Sequence, residues 1–267
     1  MVQYFEAKIG PGGNRVPPIR SSAINTLQTC PRKFLLNERL GIKGRSYEGA
    51  LGRGDIYHQF RAHLLLGTPW AQAVSEVRKT IEATTEKLIA AAGPGALLPG
   101  GKDLKTVLSD VEEDFQVAHA MAQCFWNLYP LNLEVWEILK LEGAGQIIEK
   151  LFRLQDPEWG EIVNQFDTVL VDKRTGEVWI SDDKTTSKSP TNFVASKSFD
   201  MQIRLYRYIL TQVAPDLNVV GAVHNVIKVP TIRQKQKESF PEYLARLKQW
   251  YLDKAAENPK DLPILQS

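Results

Sequence analysis

The chain has 267 residues, with 33 Lys+Arg against 31 Asp+Glu and a formal net charge of +2, a length at which one large domain or two small ones bury a sizeable core. Its 43% hydrophobic and 24% charged residues exclude a wholly disordered chain. No apolar run approaches the roughly 18 residues of a membrane span, and two cysteines, Cys30 and Cys124, exclude a disulfide framework.

Residues 1–20 are rich in Gly and Pro and are expected to form a loosely held arm. The start lacks the basic and apolar regions of a secretory signal, and with so few cysteines a reducing, cytoplasmic setting is expected. Ser21 and Ser22 open a helix expected to run to about Leu36. A second helical stretch spans about 47–66, a third begins after the Gly67-Thr68-Pro69 break and reaches about Ala92, and a fourth covers about 103–128, with Val107, Val111, Phe115, Ala118, Met121 and Phe125 at three-to-four spacing. Cys124 on that helix is read as a core residue. After Pro130 the pattern alternates: strands are expected at 134–141, 147–154, 162–171 and 178–181, a helix at 198–213, a strand at 219–229 and an amphipathic helix at 241–256. The chain therefore divides into a mainly helical part, 21–130, and an α/β part, 131–260, of one domain over 21–267. The end at Leu262–Ser267 is abrupt, which leaves room for a further C-terminal segment.

The chemistry concentrates between Phe166 and Lys184. Lys173–Gly176 suits a four-residue turn with Gly last. Asp172 then faces Glu177, Val171 faces Val178, Val169 faces Ile180 and Asp167 faces Asp182, and Lys184 shares the face of Asp182. Opposed residues hold their Cβ atoms roughly 4.5–5.5 Å apart, so two carboxylates beside an apolar strip repel and call for a cation. Lys184 is one candidate and a divalent metal the other, Mg²⁺ or Mn²⁺ suiting hard oxygens best. The residues alone also admit a hairpin whose charges sit at a solvated strand end. A register with Asp183 in place of Asp182 would bring Glu177, Trp179 and Ser181 onto the shared face, so Asp182 is preferred.

At these residues the sequence resembles the PD-(D/E)XK nuclease superfamily in its RecB-like branch, which includes CRISPR-adaptation exonucleases and many phage nucleases. The pattern is Phe166-Asp167, then Ile180-Ser181-Asp182-Asp183-Lys184-Thr185-Thr186. Further matches are Leu51-Gly52-Arg53-Gly54-Asp55-Ile56-Tyr57-His58, the spacing of Gln202 to Tyr206 on one helix face, and Cys30-Pro31-Arg32-Lys33-Phe34 after a Ser-rich helix. The resemblance implies a restriction-endonuclease-like core, a central mixed sheet flanked by helices, with a helical N-terminal half. It implies His58, Asp167, Asp182 and the backbone carbonyl of Asp183 as ligands of Mg²⁺ or Mn²⁺. Lys184 would position or activate the attacking water, and Gln202 and Tyr206 would sit beside the site, contacting nucleic acid or supporting the metal ligands. The activity implied is DNA cleavage, as an exonuclease in recombination, repair or phage replication, in the cytoplasm of a bacterial host if the chain is phage-encoded. A helicase or recombinase partner fits that setting; the alternative is a catalytically weak DNA-binding subunit of such a complex.

The chain departs from the pattern in having Asn164 where Gly is common and Asp183 where an apolar residue is common. Cys30 matches the first ligand of an iron–sulfur cluster found in some members, but no other cysteines stand near the C-terminus, so no cluster is expected from this chain. Lys228, Arg233, Lys235 and Lys237 form a basic run that reads as a solvated loop or, beside a nuclease site, as a contact to the phosphate backbone. Arg32, Lys33, Arg45 and Arg53 add positive charge ahead of His58. His63 is a weaker ligand candidate than His58, and His224 is read as packing within its strand. Trp136, Trp159 and Trp179 are read as core or as stacking platforms for bases.

Overall fold

A computed structural model describes residues 18–40, 52–92, 103–186, 201–229, 232, 234–257 and 265–266. The expected arm therefore lies outside the described residues except for 18–20, as do the start of the helix expected from 47 and Arg45 and Arg233. No helix among the described residues is long and apolar enough to cross a membrane.

The first expected helix is two. Helix α1, Ser21–Thr29, stops at Cys30, whose extended backbone (φ −156°, ψ 97°) is what the residue before a proline prefers. Pro31 then opens α2, Pro31–Phe34, where its missing N–H costs nothing, and a π-turn, Leu35–Arg39, continues it. Ser21 does not cap α1 from outside. It is the first helical residue, and its backbone N–H and hydroxyl donate to Oδ1 of Asn164 at 3.2 and 2.9 Å. Helix α3, Arg53–Leu65, follows Gly52; α4 spans Trp70–Ala92; α5 spans Leu104–Leu128, with the Asp103 carboxylate accepting from the Thr106 N–H at 2.7 Å as an N-cap. Phe60, Val77, Phe115, Ala118 and Met121 bury their side chains where α3, α4 and α5 meet, and Tyr243 and Leu247 join them.

The strand expected at 134–141 is broken. β1, Trp136–Ile138, pairs with the main sheet, while β2, Lys140–Leu141, turns back on β3, Gly145–Gln146, as a separate small hairpin. The remaining strands are β4, Ile148–Asp156; β5, Gly160–Asp172; β6, Val178–Thr186; β7, Val219–Lys228; and the short β8, Leu265–Gln266. Helix α6, Met201–Val213, precedes β7, and α7, Phe240–Glu257, follows it. The sheet runs β1-β5-β6-β7-β8, with β4 also on β5. β6 and β7 are parallel and the other pairs antiparallel, so the sheet is mixed, as expected.

The hairpin of β5 and β6 has the expected register over four pairs, which stop short of the expected pair of Asp167 and Asp182. Val171 pairs with Val178, Leu170 with Trp179, Val169 with Ile180 and Thr168 with Ser181. Gly176 closes the turn at φ +75° and donates its N–H to the Asp172 carbonyl at 2.7 Å. Val169, Val178 and Ile180 bury against Leu205, Ile209 and Leu210 of α6, each worth about 1.5–3 kcal/mol. Ile19 reaches the other end of β5 as an isolated parallel bridge to Ile162, donating to the Glu161 carbonyl at 2.7 Å and accepting from the Val163 N–H at 2.8 Å.

Candidate active site

The ladder between β5 and β6 ends at Thr168 and Ser181. Beyond it the freed backbone groups need other partners, and side chains supply them. The Asp183 N–H donates to Oδ2 of Asp167 at 2.7 Å. The Tyr206 hydroxyl donates to the Gln165 carbonyl, and its ring stacks on Phe166 with centroids 4.3 Å apart. The site thus forms where the two strands part, with Oδ2 of Asp167 held as a structural acceptor and Oδ1 turned toward His58.

On the Asp167 side, Nδ1 of His58 on α3 lies 3.7 Å from Oδ1 of Asp167 and 3.0 Å from Oε1 of Glu149. Glu149 sits between the pairs Ile148–Thr168 and Lys150–Phe166, hence across from Asp167, at φ +46°. Gln165 donates to its other oxygen at 2.6 Å. Ligand atoms of His58, Glu149 and Asp167 all lie within 4.8 Å of one another. Two carboxylates and an imidazole are a donor set that suits a divalent cation, so these residues fit a metal. Glu149 was not foreseen, although extending the hairpin arithmetic back to the turn at 157–159 places it opposite Asp167.

On the Asp182 side, Nζ of Lys184 is 2.7 Å from Oδ1 of Asp182, and Nδ1 of His224 is 3.0 Å from Oδ2. Asp182 is fully buried. His224, read from sequence as packing, instead touches this carboxylate, because the parallel register sets it directly beside Asp182. Asp183 turns the opposite way: Nε of Arg61 reaches it at 3.3 Å and Nδ2 of Asn225 at 2.7 Å.

Burial dominates the electrostatics. It pushes the Asp167 carboxyl up to about 7; His58 and Lys184 pull it down, but Asp182 and Glu149 oppose them. Burial also disfavours the charged form of Asp182, yet His224 and Lys184 outweigh it and hold that carboxyl below its usual range. For His58, burial would lower the pKa, but the Glu149 hydrogen bond and the Asp167 carboxylate raise it to about 9. Binding a metal at Nδ1 must displace that proton. Burial pushes the Tyr206 phenol far up, so it remains a neutral donor.

Of the residues singled out from sequence, the fold brings His58, Asp167, Asp182, Asp183 and Lys184 together. Gln202 donates to the Tyr206 hydroxyl at 2.6 Å. Tyr206 is 1% exposed and braces β5 through the Gln165 carbonyl. Lys228 ends β7 level with Thr186, and Lys235 and Lys237 are exposed in the turn before α7; Arg233 lies outside the described residues. His63 falls in the last turn of α3. Trp159 is exposed and stacks on Tyr208 at 6.0 Å, whereas Trp136 and Trp179 meet edge to face.

A family model described as the PD-(D/E)XK nuclease superfamily matches residues 21–265. No curated protein matches the chain.

Proposed function

Because the chain belongs to the PD-(D/E)XK nuclease superfamily, whose members use divalent metals, we propose that it is a metal-dependent deoxyribonuclease that hydrolyses phosphodiester bonds at DNA ends. The observation that supports this best is the split hairpin end: His58, Glu149 and Asp167 converge on one side, and an Asp182–Lys184 pair stands on the other. The residues that would hold Mg²⁺ or Mn²⁺ are His58, Asp167 and Glu149, to which the family resemblance adds Asp182 and the backbone carbonyl of Asp183. When bound, such an ion polarises a phosphate and lowers the pKa of water.

The protein groups supply the rest. Asp182, braced by His224, fixes the Lys184 ammonium at 2.7 Å, where it orients a water and stabilises charge building on the phosphate. The buried strip of Val169 and Ile180 behind them lowers the local dielectric and strengthens both effects. Lys228, Lys235 and Lys237 serve as sequence-independent phosphate contacts. The preference for exonuclease action in recombination, repair or phage replication rests on the resemblance of His58 and the Gln202–Tyr206 pair to the RecB-like branch.

The test is cleavage of end-labelled linear single- and double-stranded DNA with Mg²⁺, Mn²⁺ or EDTA, beside Asp182→Ala and Lys184→Ala proteins. Metal-dependent products that vanish in both variants support the reading, and a ladder growing from the labelled end supports exonuclease action. Equal cleavage by parent and variants refutes it. DNA binding without products points to the weak binding subunit instead.

A further inference from the structure

Helix α3 meets β6 at two points. At the first, Gly54 comes so close that a Cβ in its place would stand 3.3 Å from Oγ1 of Thr185. At the second, about two turns further along α3, Nε of Arg61 faces Oδ2 of Asp183 at 3.3 Å. His58 lies between the two points. It precedes Arg61 by three residues and is therefore its neighbour on the helix surface.

Asp183 closes a circuit between helix and sheet. Its backbone N–H donates to Oδ2 of Asp167 at 2.7 Å, and Oδ1 of Asp167 lies 3.7 Å from Nδ1 of His58. Its side chain accepts from Arg61 on one oxygen and, at 2.7 Å, from Nδ2 of Asn225 on β7 on the other. The rings of Phe125 and Trp126 on α5 flank the guanidinium at 5.0 and 5.5 Å. Stability does not account for the pair. Arg61 is 5% exposed and Asp183 2%, and Nη1 of Arg61 has no partner among the described residues. A buried ion pair is often no more stabilising than apolar side chains of the same volume. What it adds here is a fixed distance and direction between α3 and β6.

We propose that Arg61 and Asp183 are positioning residues for the metal site: their pair sets how far α3 stands from β6 and so holds His58 at Asp167. This rests on the nuclease reading, in which His58 and Asp167 hold the metal. It also gives a use to the charge of Asp183, which stands where the resemblance leads to an apolar residue.

The test is calorimetric titration of Mn²⁺ into the DNA-free full chain, at a temperature where circular dichroism shows every protein folded. It compares the parent, Arg61→Lys and the double variant Arg61→Met with Asp183→Leu. The double variant removes both charges together, so no lone charge is left buried, and Asn225 keeps Oγ of Ser181 as an acceptor at 3.0 Å. It is expected to melt no lower than the parent and to bind Mn²⁺ about tenfold more weakly. Arg61→Lys keeps the charge pair and should recover binding to within about threefold of the parent. A merely structural pair would move the melting temperature and leave the affinity of the folded protein alone. Parent-like affinity in the folded double variant overturns the proposal, and so does an Arg61→Lys protein that binds as weakly as the double variant. Either result beside a parent that binds Mn²⁺ sinks this inference only. A parent that binds no Mn²⁺ sinks the metal reading, and this inference falls with it.

Discussion

Replacing Glu149 by Gln keeps the side-chain shape and removes one negative charge from a group whose ligand atoms lie within 4.8 Å of one another. Glu149 does two jobs in the structure. It accepts from Gln165 at 2.6 Å and faces Nδ1 of His58 at 3.0 Å. A glutamine still offers an oxygen to His58, so the imidazole stays oriented and the main loss is the carboxylate itself. Losing even an outer partner of a metal ligand costs about 10–100-fold in metal affinity, or about 1.4–2.7 kcal/mol, so losing a ligating carboxylate costs at least as much. The assay is calorimetric titration of Mn²⁺ into the DNA-free protein, with parent, Glu149→Gln and Asp167→Asn side by side. Glu149→Gln is expected to bind one to two decades more weakly than the parent, and Asp167→Asn more weakly still. If Glu149→Gln binds Mn²⁺ within about twofold of the parent while Asp167→Asn loses it, Glu149 merely props His58 and the ligand set drawn from the geometry is wrong.

Asn164→Ala removes the acceptor for both the Ser21 N–H and its hydroxyl; a loss of about 1–2 kcal/mol is expected in urea denaturation, and an unchanged midpoint would show that the clip is decorative. His119 is stacked on Trp70 at 5.0 Å, and burial, with Lys248 and Arg78, lowers its pKa from 6.5 to about 4. The folded state thus binds fewer protons than the unfolded one between those values, so its stability is intact above pH 6.5 and falls as pH drops toward 4. Discounted for partial exposure, the loss is about 1–2 kcal/mol; His119→Phe should abolish it, and equal acid sensitivity of the two proteins contradicts the assignment. A Cβ at Gly221 would lie 2.7 Å from Cζ3 of Trp179, so Gly221→Ala should cost about 1–3 kcal/mol by overpacking, read as a lower melting temperature; no shift would mean that the Trp179 ring yields freely.

The hairpin at the heart of the site was legible because every signal in it is local. Gly176 ends the turn, and Val169, Val171, Val178 and Ile180 alternate on one face, so a one-residue slip would turn the whole apolar set outward. His58 was legible only through its resemblance to a family pattern, since a single histidine on a helix carries no signal of its own. The same arithmetic applied to the neighbouring hairpin leads to Glu149, but the strand expected over 147–154 was never paired against 162–171, so Glu149 was not set opposite Asp167. His224 was hidden for a deeper reason: β6 and β7 pair in parallel with α6 between them in sequence, and nothing local to either strand sets that register. The split of the first helix at Cys30-Pro31 was available in the sequence and lost to its apolar periodicity. The pairing of β8 with β7 joins two distant residues to the edge of the sheet and carries no local signal at all.

Ile19 also bears on solubility. β5 is paired with β4 along one side from Gly160 onward, but with β6 on the other side only from Thr168. Between those points its outer backbone groups form a short open edge of the kind that recruits a strand from another molecule. Ile19 occupies that edge through its bonds to Glu161 and Val163, and the Asn164–Ser21 contact anchors it there. A shortened chain beginning after residue 20 would expose the edge on the strand that carries Asp167, and self-association, rather than unfolding, is its expected failure.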